Sequence, residues 1–505
     1  MHYDIVILGY GPVAAVAVNM LAQRGWNVAV VERMPDVYPL PRAIAFDGET
    51  FRTFQELGLD GEISRSTTGS QGAEFLDGDG NRIIGFDLPE GALGACRHPD
   101  TSYFHQPTLE KTLRRNAAGF SNVTVLLEHE AGMPNQNAER VSVNVTDIAS
   151  GEQKTLTADY LIAADGASSQ VRKGLGFKLE SLGYDCQWLV VDATVKDRSG
   201  LPVTAQQHCD PKRIVTFVPG VNELVRWEIR SLPGESAEDM QNNDFIWSVI
   251  GRWVTPENAS IERSAVYQFH GTTADFWSKD RIFLAGDAVH QTPPFLGQGM
   301  VAGIRDVVNL VWKLDRVKNG TAPASLLETY QPERKPHAHD LVSWAVEMGQ
   351  LMDQIADAHT SGVFPADMKA AYGGNRGFPR LHCGVLALNE NDASDGVTGY
   401  PSPQPLVAYN GAEPVLMDEL IGPNFAILSA TDVSNDLSEK HKALLERIGT
   451  TMLVLPESSR KSRELDALLG LHKAVILRPD RYVFGLVNNV HSMSEQLDKL
   501  AEHFL

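Results

Sequence analysis

"YDIVILGYGPVAAVAVNMLAQRGWNVAVVE" occupies residues 3–32 and decides the fold of the segment around it. "YDIVIL" is a short apolar run rich in β-branched residues, as in a strand buried on both faces. It breaks at Gly9, and a helical stretch follows from Pro12. "WNVAVVE" is a second buried strand, so the whole stretch makes one βαβ unit. Gly9, Gly11 and Ala14 stand in G-x-G-x-x-A spacing between strand and helix. In that setting Gly9 permits the tight turn and Gly11 lets the backbone approach a pyrophosphate. Ala14 keeps helix and strand close, while Pro12 and Val13 open a helix whose N-terminus faces the phosphates. Glu32, followed by Arg33, ends the second strand, where an acid binds ribose hydroxyls. A dinucleotide site is expected here.

Outward from this unit, the chain of 505 residues is long enough for several domains. Residues 1–179 are expected to hold the first part of the dinucleotide-binding domain, with some strands near 72–105 belonging to a second sheet. "PTLEKTLRRNAA" (107–118) reads as helix, and "NVTVLL", "VSVNVTDI" and "ADYLIAADG" read as strands. Residues 180–270 change character, because "QWLVVDATV", "RIVTFVPG" and "ELVRWEIRS" resemble antiparallel strands of a separate sheet. From 271 to 390 the first domain resumes. Its helix after residue 299 carries apolar residues at 300, 304, 307, 308, 311 and 314. "NENDASDGVTGYPSPQP" (389–405) reads as a linker, and 391–505 as a small α/β unit of its own.

Net charge is −20, with Lys and Arg scattered. This argues against nucleic acid or an anionic membrane as partner. The cysteines, Cys96, Cys186, Cys209 and Cys383, show no C-x-x-C spacing. No zinc site or disulfide framework is expected, and a reducing cytoplasm suits the chain best. Neither a signal peptide nor a membrane span is expected, and no ligand cluster suggests a metal.

A second glycine turn, "GDAVHQTPPFLGQGM" (286–300), follows another strand. Gly286-Asp287 would bring a carboxylate to a ribityl or ribose hydroxyl. Gly297, Gln298 and Gly299 would open the next helix with free N–H groups, which together with the positive helix end suit the pyrimidine edge of a flavin. One FAD explains both turns, its AMP end on 9–32 and its flavin on 286–300.

Three motifs in order, "GYGPVA…E", "ADYLIAADGASSQVR" and "LAGDAVHQTPPFLGQGMVAGIRDVVNLVWKL", resemble the aromatic hydroxylases of the flavoprotein monooxygenase class with the para-hydroxybenzoate hydroxylase fold. The resemblance spans residues 1–345. "PRAIAFD", "HQPTLEKTLR", "HCDPKR", "VRWE", "YQFH" and "PPFLGQGM…GIRD…NL.WKL" are most similar to 3-(3-hydroxyphenyl)propionate hydroxylase and its phenol-hydroxylating relatives. The tail resembles their thioredoxin-like C-terminal domain, here without Cys. The resemblance implies an α/β chain: a Rossmann-like FAD-binding domain, an inserted antiparallel-sheet substrate domain, and a tail that is structural or forms a homodimer. It implies a cytoplasmic enzyme that uses FAD, NADH or NADPH, and O2 to hydroxylate a phenol through a flavin C4a-hydroperoxide.

On individual residues the resemblance implies that Arg42 and Gln106 contact the FAD chain, although a loop charge and a helix-capping amide are the plainer readings. Asp165-Gly166 matches the turn associated with FAD and nicotinamide pyrophosphate. "ASS" stands where the family has "ARS" or "ANS", which puts Ser168 in place of a larger residue. Pro294 would lie beside the reacting face of the flavin, and Gly299 and Met300 would donate to its oxygen. Asp47 and Tyr267 would line the substrate cavity and orient or deprotonate the phenol. His270, at odd spacing from Tyr267 and so on the opposite face of a strand, is the third candidate. His290 reads as packing beneath the flavin loop. Arg226 and Trp227 either line the pocket or are a solvated Arg beside a core Trp. Two rivals are a flavin-dependent halogenase, whose W-x-W-x-I-P signature is absent, and an FAD protein without catalysis, against which the intact "PPFLGQG" argues.

Overall fold

The computed structural model describes residues 2–363, 379–388, 395–408, 413–456 and 468–505. In it β1 (His2–Leu8) runs into α1 (Pro12–Gln23) and back to β2 (Val28–Val31). Every residue of β2 is buried, as is α1 from Ala14 to Ala22. These elements have little solvent face, which is why their sequences read as apolar runs. α2 (Gly48–Glu56) and α3 (Gln106–Ala118) follow, then β3 (Val123–Leu126) and β4 (Gln153–Ala163). β3, β2, β1 and β4 lie side by side and all parallel.

The chain then leaves this sheet. β5 (Leu179–Val195), β6 (Ala205–Asp210), β7 (Arg213–Val218), β8 (Leu224–Arg230) and β9 (Ala259–Ala274) pair antiparallel in the order β9-β5-β8-β7-β6. Strands Gly72–Leu76 and Arg82–Asp87 extend one edge, and His290–Gln291 the other. The strand Thr101–Phe104 lies apart from them, in a three-stranded sheet with Ala45–Asp47 and Thr67–Gly69. Its aromatic residues pack there, Tyr103 with Ile44 and Phe104 with Phe46.

β10 (Ile282–Leu284) returns to the first sheet, parallel to β4. The order β3-β2-β1-β4-β10 reverses direction between β1 and β4. The carboxyl ends of β1, β4 and β10 therefore bring the turns at Gly9, Asp165 and Gly286 to one crevice, where such sheets bind ligands. α4 (Gly299–Lys318) leaves that crevice, and α5 (Tyr330–Ser361) covers the second sheet.

In the tail, β11 (Ala426–Ser429), α6 (Glu439–Arg447), β12 (Thr451–Val454), β13 (Ala474–Leu477), β14 (Val483–Val487) and α7 (Val490–Glu502) form a four-stranded sheet in the order β12-β11-β13-β14 with flanking helices. It does not hang on a free linker. Residues 389–394 of the expected linker lie outside the described residues, but Gln404 is buried and donates to the Cys96 carbonyl at 2.8 Å. Trp312 of α4 meets Phe425 edge-on. Lys313 and Glu333 share a fully buried ion cluster with Arg478 and Asp480.

Candidate active site

Gly9 adopts φ +89°, and a Cβ there would stand 2.4 Å from the Ala164 carbonyl oxygen. The turn after β1 is pressed onto the turn after β4, so only glycine fits. Gly11 differs. Its φ of −71° suits any residue, and a Cβ would meet no protein atom within 4 Å. Protein packing does not require glycine at 11, and the open space lies at the N-terminus of α1, where a pyrophosphate would fit. Beside the same turn, the Glu32 carboxylate accepts from the N–H groups of Tyr10 and Met34, each at 2.8 Å. Arg33 is exposed.

At the second glycine turn, Pro294 begins a short 3-10 turn, and Gly297 ends it at φ +64°. Gly299 is the first residue of α4, with no protein atom within 4 Å of a Cβ added to it. Met300, next to it, is half-buried. The Gln298 side-chain oxygen accepts from Arg305 at 2.9 Å. Asp306, one residue on, is fully buried and accepts from the Gly286 N–H at 3.0 Å, from His290 Nε2 at 2.8 Å and from Arg334 at 3.0 Å. Burial alone would raise the Asp306 carboxyl. His290 and Arg334 instead hold it below the usual range. His290 is thus fixed beneath the Gly286 turn.

Two acceptors in the crevice remain. Asp165 uses one carboxylate oxygen on the Gln170 N–H at 2.9 Å, while its Oδ1 is buried with no partner among the described residues. Gly166 turns the chain after it at φ +81°. Asp287 makes no hydrogen bond among the described residues, and burial pushes its carboxyl up against the opposing charges of His290 and Arg42. Glycines that protein packing does not require, N–H groups at two helix starts and unused carboxylate acceptors match the donor and acceptor set of FAD.

Several expected site residues have other duties. Gln106 Oε1 accepts from the N–H groups of Arg42 and Ala43 at 2.9 and 2.7 Å, and Nε2 donates to Glu110. It therefore fastens the loop that carries Arg42, whose exposed guanidinium lies over the Tyr38 ring. Asp47 is not a free acid in the substrate cavity. It caps α2 by accepting from Thr50 at 2.9 Å and pairs with Arg305, which also binds Glu49 at 2.7 Å. Burial works against the Arg305 charge, but Asp47 and Glu49 raise its pKa above that of a free guanidinium. Asp47 therefore acts through Arg305 on Gln298. His270 faces away from Tyr267, 3.3 Å from Asp185, with both side chains partly in solvent.

Alternation divides the second sheet into two faces. Trp227, Leu189, Val191 and Phe217 pack on the outer face against the helix Asn243–Ile250. Trp227 is therefore core. On the inner face, Arg226 binds Asp192 at 2.7 Å and donates to the carbonyl oxygens of Pro41 and Arg42 at 3.0 and 2.6 Å. Arg263 binds Asp192 at 3.2 Å and also donates to Pro41 and to the Tyr267 hydroxyl oxygen. Further along, the Trp188 ring lies 5.2 Å from that of Phe295, the residue after Pro294. The inner face thus reaches the Arg42 loop at one end and the flavin turn at the other.

A family model described as FAD binding domain matches residues 2–345, and one described as HcaD C-terminal domain matches residues 399–503. A probable NADH-specific resorcinol 4-hydroxylase of Rhodococcus jostii (strain RHA1) is 33% identical, over 97% of this chain and 93% of its own. The chain belongs to the FAD-dependent aromatic hydroxylases. A 3-(3-hydroxy-phenyl)propionate/3-hydroxycinnamic acid hydroxylase of Comamonas testosteroni is 28% identical to this hydroxylase, over 98% and 96% of the two chains. Among solved structures, the flavin-dependent monooxygenase PieE in complex with FAD and substrate has a TM-score of 0.85 at 20% identity, covering 100% of this hydroxylase and 99% of that chain. Aklavinone-11 hydroxylase with FAD and aklavinone has a TM-score of 0.78 at 22% identity, covering 99% of both chains. These structures support the fold.

Sequence reasoning gave no role to Gly303, Asp306 or Arg305 of the hydroxylase. A Cβ at Gly303 would stand 2.6 Å from Val13 and 2.8 Å from the Gly286 Cα, so α4 touches α1 and the flavin turn at once. Gly299 and Gly303, four apart on one helix face, were the available signal. Arg305 and Asp306 lay inside the matched "GIRD" stretch, but no role could be read for them because their partners lie in other elements.

Proposed function

We propose that the hydroxylase acts on a small dihydroxybenzene-type phenol of the resorcinol class, with NADH as electron donor and O2 as oxygen source, in the cytoplasm. The whole-length 33% identity to the resorcinol 4-hydroxylase carries this reading. The charge on the inner face supports a neutral substrate. Its cations Arg226 and Arg263 share Asp192 with Glu228 beside them, and Arg230 pairs with Asp353, a balance that suits an anionic side chain poorly. Bound FAD supplies the redox chemistry, taking hydride from the nicotinamide and delivering oxygen to the ring.

The protein's own residues do the rest. Gly11 and Gly299 leave room for the cofactor at two helix starts, and Glu32 accepts from the ribose. Asp165, Arg42 and Asp287 flank the crevice between them. Pro294 and the Gly297–Met300 turn hold the flavin edge, steadied by Arg305 through Gln298 and by Asp306 through Gly286. Tyr267 can donate its O–H to a substrate oxygen, since the Arg263 contact uses only its acceptor side. The tail keeps the strand order of a thioredoxin-like unit and, lacking cysteine, serves structure.

The test is NADH consumption by the purified yellow protein against resorcinol, phenol and 3-(3-hydroxyphenyl)propionate, with products identified by mass spectrometry. Resorcinol should stimulate NADH oxidation and yield a trihydroxybenzene. NADH oxidation yielding only peroxide with every phenol would support the non-catalytic rival, and faster turnover of the propionate would overturn the neutral-substrate reading.

A further inference from the structure

Glu228 stands on β8 two residues from Arg226, so both side chains share the inner face. In the sheet register it lies beside Val190 on one side and Thr216 on the other. Arg226 is paired in register with Asp192, and Arg230 with Trp188. The first pair is anchored to the Arg42 loop and the second lies against Phe295. Glu228 therefore occupies the row between the two contacts that join this sheet to the cofactor domain. Only 4% of it is exposed, and it makes no hydrogen bond among the described residues. Its nearest cation, Arg226, is 3.9 Å away and already committed to Asp192 and two carbonyls.

A buried carboxylate without a hydrogen bond is costly to keep. Thr216, its neighbour, gives its hydroxyl to Gln207 instead. Around Glu228 the charged groups are Asp192 from β5, Arg226 from its own strand and Arg263 from β9, while Tyr267 of β9 acts on Arg226. His105, before α3, faces Asp192. Arg226, Arg263 and Asp192 leave one net positive charge, which one carboxylate balances.

We infer that Glu228 is the base that removes the phenolic proton of the substrate in this site. The inference rests on the phenol-hydroxylase reading above. The substrate O–H bond breaks, its proton passes to a Glu228 oxygen, and the electron pair stays on the phenolate oxygen, where it enriches the ring for electrophilic attack. Once oxygen has bonded to a ring carbon, the C–H bond at that carbon breaks and its proton leaves to water as the ring regains aromaticity, while the Glu228 proton returns to the original phenolic oxygen, so Glu228 ends as it began. Arg226 and Arg263 steady the phenolate, and the Tyr267 O–H can donate to it. Burial pushes the Glu228 carboxyl up to about 7, against the pull of Arg226, which places it where a base is effective near neutral pH.

The experiment compares wild type, Glu228→Gln and Glu228→Asp, each FAD-loaded, on the panel phenol that wild type hydroxylates fastest and on its ring-fluorinated analogue, whose hydroxyl is more acidic. Product formation is followed from about pH 5 to 9. Wild-type kcat/KM should rise through an ionisation near 7. Glu228→Gln should lose roughly 10²–10⁴-fold with that limb abolished. The fluorinated substrate, which ionises unaided, should recover most of the loss, and Glu228→Asp should keep the limb. Equal loss on both substrates, or a wild-type rate with the limb intact, would overturn the assignment. If Glu228→Gln fails to load FAD, Glu228→Asp decides through its pH limb and its response to fluorination. Absence of hydroxylated product from wild type itself sinks the phenol-hydroxylase reading instead.

Discussion

Replacing Gly11 with alanine separates a glycine kept for a ligand from one kept for the fold. At Gly11 the backbone is ordinary, φ −71° and ψ −176°, and the new methyl meets no protein atom within 4 Å. Loss of unfolded-state freedom favours the alanine chain by about 0.4–1 kcal/mol. Alanine at a helix N-cap costs roughly 0.5–1 kcal/mol relative to glycine. The two offset, so the FAD-free protein should melt close to wild type. The cofactor is affected differently. A methyl where the pyrophosphate would approach displaces it from the N–H groups of α1, and losing one or two charge-assisted hydrogen bonds at roughly 1.5–3 kcal/mol each raises Kd by about tenfold or more. Gly9→Ala should behave in the opposite sense. Alanine at φ +89° costs about 1–2 kcal/mol. Its 2.4 Å contact with the Ala164 oxygen adds roughly 1–3 kcal/mol. The assay is thermal unfolding of flavin-free protein together with FAD titration by fluorescence quenching. If Gly11→Ala binds FAD within about threefold of wild type, or melts as early as Gly9→Ala, the ligand-approach argument is wrong.

Arg305→Met should lower stability by about 3–5 kcal/mol by leaving buried Asp47 without its cation, and Asp47→Asn added to it should restore part of the loss in thermal melts. Glu228→Gln should stabilise the protein above neutral pH. The wild-type carboxyl rises from 4.5 to about 7 on folding, so wild-type stability falls as pH climbs through that window, by about 3 kcal/mol, while the amide escapes the penalty; a variant melting no higher than wild type at pH 8 would contradict this. Removing the tail after residue 388 strips Arg478 and Asp480 from buried Lys313 and Glu333 and uncovers Trp312, so the truncated chain should be insoluble or melt far earlier, and a soluble, flavin-loaded product of unchanged melting temperature would show that the interface is dispensable. Asp306→Asn should weaken FAD binding, measurable by titration, because the His290 and Arg334 contacts to a carboxylate are lost.

The local chemistry of the chain was legible in its order of residues. The βαβ unit, the turns at Gly9 and Gly286 and the second sheet follow from short-range pattern: apolar runs, glycines at fixed offsets, and helical spacing after Gly299. The line of descent of these motifs was legible too, because three of them occur in one order. What a side chain does when its partner lies in another element was not. Asp47 binds Arg305 across 258 positions of sequence. No spacing rule connects them, so a capping ion pair read as a free acid. Alternation along "VRWEIR" puts Trp227 and Glu228 on opposite faces, but it cannot say which face meets the cofactor domain. That was decided by docking, when Arg226 and Arg263 found the Pro41 and Arg42 carbonyls and Trp188 found Phe295. Only then did Trp227 become core and Glu228 a buried carboxylate on the face toward the cofactor domain, because burial on a sheet is set by what packs against it.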